Sequence, residues 1–131
     1  MLVDTNVLSE LVLPSPDPGV LRWARGASLP LSLSVVTLEE VSYGLAWRPN
    51  PEIHAWFEAF LSESCTILPV GGVIARRAGE LRGTFRGGGQ QPRQADMLIA
   101  ATAQVHQLPL VTRNVRYFDG CGIQVVNPFE E

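Results

Sequence analysis

Met1-Leu2-Val3-Asp4-Thr5-Asn6-Val7-Leu8-Ser9-Glu10 opens the chain. An apolar pair, then Asp-Thr-Asn, then an apolar helix-like run over 7–13 describes a short buried strand that turns directly into a helix. The same alternation continues outward. Residues 31–36 are β-rich, and Thr37-Leu38-Glu39-Glu40 opens a helix. Residues 66–70 form a short strand, and Ile74, Ala78, Leu81 and Phe85 mark the apolar stripe of a further helix. Residues 96–106 read as a largely buried helix, and 108–112 and 123–126 complete the strand set. Two more helices carry capping signals. Asp17 precedes Pro18 at the start of a helix reaching Ala27. Asn50-Pro51 precedes Ile53, Trp56, Phe57, Phe60 and Leu61 at helical spacing. Gly87-Gly88-Gly89-Gln90-Gln91-Pro92 cannot continue a helix and is expected to be a mobile loop. Strands alternating with helices predict an α/β fold: a central parallel sheet of about five strands, covered on both faces in an α/β/α arrangement.

With 131 residues the chain suits a single domain spanning 1–131, and 46% hydrophobic residues supply a core without metal or disulfide staples. No apolar stretch approaches the ~20 residues a membrane span needs, and no basic segment followed by an apolar run opens the chain. A cytoplasmic protein is expected. Cys65 and Cys121 lie far apart without metal-ligand spacing and read as reduced thiols. The net charge of −3 argues against indiscriminate nucleic-acid binding, yet all ten basic residues are Arg. Five of them, Arg76, Arg77, Arg82, Arg86 and Arg93, fall in one stretch opposed only by Glu80. Guanidinium forks suit phosphate, which makes Arg82 and Arg86 candidate RNA contacts. A solvated helix face explains the same residues equally well.

Three carboxylates carry the chemical argument. Asp4 follows the first strand, Glu40 lies in the first turn after the second, and Asp96 opens the helix before the fourth. In an open parallel sheet the strand C-termini and following helix N-termini share the edge where ligands bind. Clustered carboxylates need a compensating cation, and Mg²⁺ or Mn²⁺ suits oxygen ligands and bound water. Such an ion activates water and stabilises a leaving oxygen, which is chemistry for cutting a phosphodiester without a His or Ser nucleophile. Each acid also has an ordinary explanation: Asp4 as a helix cap, Thr37-x-x-Glu40 as a capping box, Asp96 as a charge on a helix N-terminus. Glu39, one helix position from Glu40, should face elsewhere. His54 and His106 lack a catalytic partner and read as structural.

The ordered set of motifs resembles the PIN-domain family, especially the VapC and FitB-like toxins of bacterial toxin–antitoxin pairs. The opening decapeptide resembles the family's first motif. Ser34-Val-Val-Thr-Leu-Glu-Glu-Val-Ser-Tyr-Gly44 resembles the second, with its acid at Glu40, and Gln94-Ala-Asp-Met-Leu-Ile-Ala-Ala-Thr-Ala103 the third, with its acid at Asp96. Leu110-Val-Thr-Arg-Asn-Val-Arg-Tyr-Phe118 and Val126-Asn-Pro-Phe129 resemble the last motif and the family's ending. The resemblance implies a PIN-like fold and a homodimeric metal-dependent endoribonuclease, inhibited by a cognate antitoxin whose peptide enters the active-site groove. Operator DNA would be reached only through the antitoxin complex. It further implies that Asp4, Glu40 and Asp96 hold the metal, that Thr5, Asn6 and Thr112 orient ligands or water, and that water is the nucleophile. One departure stands at the fourth motif. Some relatives carry an acid at the place of Asn114, others three residues later, where this chain has Tyr117. That leaves one well-held metal, with Asn114 positioning water or phosphate and Asp119 as a substitute acid only if the turn is displaced.

The alternative function is a nucleic-acid-binding subunit of a toxin–antitoxin complex that acts on operator DNA with little catalysis. A phospho-receiver or aspartate-nucleophile phosphatase is a weaker rival. Such proteins use a Lys near the acids, and this chain has none; the phosphatase pattern also wants an acid where Asn6 stands.

Overall fold

In the computed structural model, which describes residues 1–27 and 30–130, the opening stretch forms strand β1 (Leu2–Val3) and helix α1 (Thr5–Leu11). Alternate side chains of a strand leave on opposite faces. Accordingly Leu2 and Val3, both fully buried, belong to two different apolar clusters. Leu110 and Val111 of β4 (Leu110–Val111) divide in the same way. The sheet is therefore dry on both sides, which only a layer of helices on each face allows.

Between β1 and β4 the chain runs through α2 (Pro18–Gly26), β2 (Leu31–Ser34), α3 (Val35–Trp47), α4 (Pro51–Glu63), β3 (Cys65–Leu68), α5 (Gly72–Gly87) and α6 (Gln94–His106). It ends with a 3₁₀ turn over Val115–Phe118 and β5 (Val125–Val126). All strand pairs are parallel, in the order β3-β2-β1-β4-β5. Leu2 registers with both Ser32 and Leu110, and Val3 with Val111. The α/β/α expectation with five strands holds. Ile74, Ala78, Leu81 and Met97 bring α5 and α6 onto one face; Val7, Val20 and Phe57 bring α1, α2 and α4 onto the other.

The caps follow the sequence signals. The Asp17 carboxylate accepts from the N–H groups of Gly19 at 2.8 Å and Val20 at 3.2 Å. Asn50 accepts from Glu52 and Ile53, each at 3.1 Å. Gly19 also has a tertiary reason: a Cβ there would stand 2.4 Å from the Pro128 carbonyl oxygen, so the tail can cross α2 only at a glycine. Expected bounds shift where local chemistry differs from pattern. Val35 and Val36 read as strand, yet Ser34 accepts from the Val36 N–H at 3.0 Å and starts α3 there. As expected, the glycine run does not continue α5, which stops at Gly87, and the segment that follows begins as a hydrogen-bonded turn. The Gly88 and Gln90 N–H groups return to α5 carbonyls, and Gly89 takes φ +89°. Cys65 and Cys121 are free thiols, as expected.

Candidate active site

The strand order reverses between β1 and β4, and in open parallel sheets the crevice at such a switch point is where ligands bind. Asp4 sits there. Its N–H donates to the Val111 carbonyl at 2.9 Å, which ties it to β4, and its extended backbone (φ −80°, ψ 158°) caps α1. The carboxylate accepts from the Thr5 N–H at 2.8 Å, the Thr112 hydroxyl at 2.7 Å and the Asn6 amide at 3.3 Å. Thr112 Oγ1 accepts in turn from the Asn6 amide at 3.2 Å and the Asn114 N–H at 3.1 Å. Asn6 Oδ1 accepts from the Arg113 N–H at 3.0 Å. Asp4, Asn6, Thr112 and Asn114 thus form one network across the switch point.

Asp4 is only 6% exposed. Burial raises its pKa above the ordinary carboxylate value; the hydrogen bonds from Thr112 and Thr5 oppose that shift, and the nearby Asp96 charge adds to it. Each hydrogen-bond donor at Asp4 comes from the first or the fourth motif, which explains why Thr5, Asn6 and Thr112 accompany the acid in sequence.

Glu40 stands in the second turn of α3, one turn later than expected. Because α3 starts at Val35, the Thr37-x-x-Glu40 capping box does not form. Thr37 is fully buried inside the helix, and its hydroxyl has no hydrogen-bond partner among the described residues. Glu40 is left to reach across the edge, where Oε1 accepts from the Thr5 hydroxyl at 2.9 Å. Glu39 is exposed, as expected from its helix position.

Asp96 does not open its helix. It occupies the third position of α6, whose cap is Arg93. The Arg93 side chain grips both carboxylate oxygens, with Nε to Oδ2 at 3.0 Å and Nη2 to Oδ1 at 3.1 Å. The pair is lopsided: the Arg93 side chain is 67% exposed and that of Asp96 only 9%. The hydrogen bonds and charge of Asp96 hold the guanidinium more firmly protonated, with smaller contributions from Glu40 and Tyr117. Arg93 is a charged residue at this edge that the motifs did not single out, and Tyr117 lines the same groove. The signal for Arg93 was a cation three residues before an acid at a helix start, which brings the two side chains together.

Two grooves meet at Arg93. One is lined by Gln91, Pro92, Asp96, Asn114 and Tyr117, the other by Arg82, Arg86, Gln91 and Pro92, and Arg93 borders both. Arg82 and Arg86 are exposed and make no ion pair among the described residues. Asp119 lies instead beside Phe118, Gly120 and Ile123. The 3₁₀ turn that buries Phe118 directs it there, so it does not replace the acid missing at Asn114. His54 is exposed on α4 beside Glu58.

Among the described residues no three acidic, His or Cys side chains stand ready-grouped to hold an ion. The reason is visible in the partners: Asp96 is turned onto Arg93 and Glu40 onto Thr5. The donor chemistry nevertheless suits a hard cation. Asp4, Asp96, Glu40 and the hydroxyls of Thr5 and Thr112 offer only oxygen, and the buried Asp4 carboxylate is made costlier by the charge of Asp96.

The family profile described as PIN domain matches residues 1–121. The chain is 31% identical to "VapC ribonuclease Y4jK" of Sinorhizobium fredii, over 99% of this chain and 98% of that one. The crystal structure of FitAcB from Neisseria gonorrhoeae superposes with a TM-score of 0.85 at 31% identity, covering 99% of each chain. A toxin–antitoxin complex from Klebsiella pneumoniae gives 0.79 at 29% identity, over 99% of this chain and 98% of that one. The parallel sheet, the buried Asp4 at its switch point and the match over most of the chain agree: this protein belongs to the PIN-domain family.

Proposed function

We propose that the chain is the toxin of a toxin–antitoxin pair, a Mg²⁺- or Mn²⁺-dependent endoribonuclease in which water attacks the RNA phosphodiester. One observation carries this reading: a buried carboxylate, Asp4, lies at the switch point of the sheet within the field of a second, Asp96. Two desolvated like charges are costly unless a cation joins them. Asp4, Glu40 and Asp96 would hold the ion, which when bound supplies water activation and stabilisation of the leaving oxygen. The protein's own contribution is positional. Thr112 and Asn6 hold one oxygen of Asp4 and the Thr5 N–H the other, the Thr5 hydroxyl fixes Glu40, and Asn114 borders the groove where a phosphate or water would lie. The relative in Sinorhizobium named a VapC ribonuclease supports RNA as substrate. The relative solved as a toxin–antitoxin complex supports an antitoxin as partner, which in this reading inhibits by placing a segment in the groove. A homodimer in the cytoplasm completes the reading.

The test is cleavage of labelled structured RNAs by antitoxin-free protein supplied with Mg²⁺ or Mn²⁺, beside EDTA and Asp4→Ala controls. Cutting that disappears in both controls is expected. No cutting by folded, metal-supplied protein overturns the enzyme in favour of a binding subunit of a DNA-bound complex.

Arg82 and Arg86 border the basic groove that leads to the acids. Each phosphate neutralised on a single strand contributes about 0.7 to the slope of log affinity against log salt. The double variant Arg82→Gln/Arg86→Gln is therefore expected to lower that slope by about 1.4 and to weaken RNA binding about tenfold or more at low salt. Fluorescence-anisotropy titrations across salt concentrations check this, and an unmoved slope would reduce the patch to a solvated helix face.

A further inference from the structure

We propose that Arg93 is a tethered counter-charge for the acids, which yields Asp96 to the divalent cation and then presents its guanidinium to the RNA phosphate. The proposal rests on the metal-dependent reading above. Arg93 stands in the helix-cap position of α6 but makes no side-chain cap hydrogen bond, so its guanidinium is not needed to start the helix. Its fork is spent on both oxygens of Asp96. It also acts electrostatically on Asp4 and Glu40, so one guanidinium opposes all three carboxylates. That is the electrostatic task a bound cation would perform, and two cations on one carboxylate repel each other.

The grip is built to be released. Asp96 is nearly enclosed, whereas the Arg93 side chain is 67% exposed and can swing into water at little cost. Its destination follows from its place, since Arg93 borders both the groove of Arg82 and Arg86 and the groove of Asp96 and Asn114. A guanidinium released there meets a strand running between the two grooves, and its planar fork suits a phosphate. The residue is a positioning group whose charge moves from the acids to the substrate.

A merely structural Arg93, one that only orients Asp96, predicts that its loss weakens metal binding. A competing Arg93 predicts the opposite sign. The experiment is a calorimetric Mn²⁺ titration of the full chain without RNA, comparing wild type, Arg93→Gln and Arg93→Lys. Arg93→Gln is expected to bind Mn²⁺ several-fold more tightly, and at saturating Mn²⁺ to show a KM for RNA raised about tenfold. Arg93→Lys keeps the charge without the fork and is expected to fall between. Unchanged or weaker Mn²⁺ binding in folded Arg93→Gln overturns the exchange, and an unchanged KM overturns the phosphate contact. Absence of Mn²⁺ binding in the wild type itself would overturn the metal reading on which the proposal stands.

Discussion

Asp96→Asn is expected to lower metal-dependent RNA cleavage by about 10²–10³-fold, the scale of losing one preorganised electrostatic contact to a transition state, made here through the cation that Asp96 would help to hold. The side chain keeps its volume and one acceptor in the 9% exposed pocket, so packing around it is preserved. What disappears is negative charge. In the first turn of α6 that charge also interacts with the helix N-terminus, typically worth about 0.3–1 kcal/mol. The ion pair with the exposed Arg93 adds about 0–1 kcal/mol, reduced by solvent on the arginine side. The variant should therefore lose about 1 kcal/mol, roughly 5 °C in melting temperature, and remain folded. Single-turnover cleavage, a Mn²⁺ titration and a thermal melt on the same preparation separate the two effects. Turnover within threefold of wild type would remove Asp96 from the catalytic set.

The predicted consequences depend on how the site is assembled, and that assembly was only partly legible in the sequence. The sheet was: Leu2-Val3 and Leu110-Val111 are apolar at consecutive positions, which means burial on both faces and hence a parallel sheet. Asp4, directly after the first strand, had to lie on the C-terminal edge. The details that failed are those decided by hydrogen-bond competition. Two β-branched residues, Val35 and Val36, suggested more strand, but a serine hydroxyl just before them could satisfy a helix N–H and ended β2. That two-residue shift removed the capping box, the ordinary explanation of Glu40, and left Glu40 to bond with Thr5. The grip of Arg93 on Asp96 was hidden for a different reason. Three-residue spacing brings side chains together only inside or at the start of a helix, and the helix was expected to begin at Asp96 itself. Tyr117 entered the groove through a 3₁₀ turn for which its neighbours gave no periodic signal.

Asp4→Asn is expected to lose all Mg²⁺-dependent thermal stabilisation, whereas the wild type gains about 2.7 kcal/mol at a Mg²⁺ concentration a hundredfold above its Kd. The sign follows from Asp4 itself. Burial, reinforced by the charge of Asp96, raises its folded pKa above 3.8. The folded state therefore holds the proton more tightly than the unfolded chain. This contribution to stability is fully present below the unfolded value and is lost as pH rises through the folded value. Above that window the ionised carboxylate subtracts from stability, and a cation that favours the ionised form restores it. Asparagine removes the charge and remains as good a helix cap. Its amide nitrogen cannot accept from the Thr112 hydroxyl or the Asn6 amide, and the Thr112 oxygen already accepts from Asn6 and Asn114, so a donor is left unpaired, a cost of about 1–3 kcal/mol that removal of the desolvated charge offsets. In EDTA the variant should thus melt within a few degrees of wild type and lack the extra acid-side stabilisation that wild type shows as pH falls through the Asp4 titration. In Mg²⁺ the wild type should melt well above it. Equal Mg²⁺-induced shifts in the two proteins would mean that the ion, if bound, is held elsewhere, and the buried carboxylate would then be only a costly helix cap.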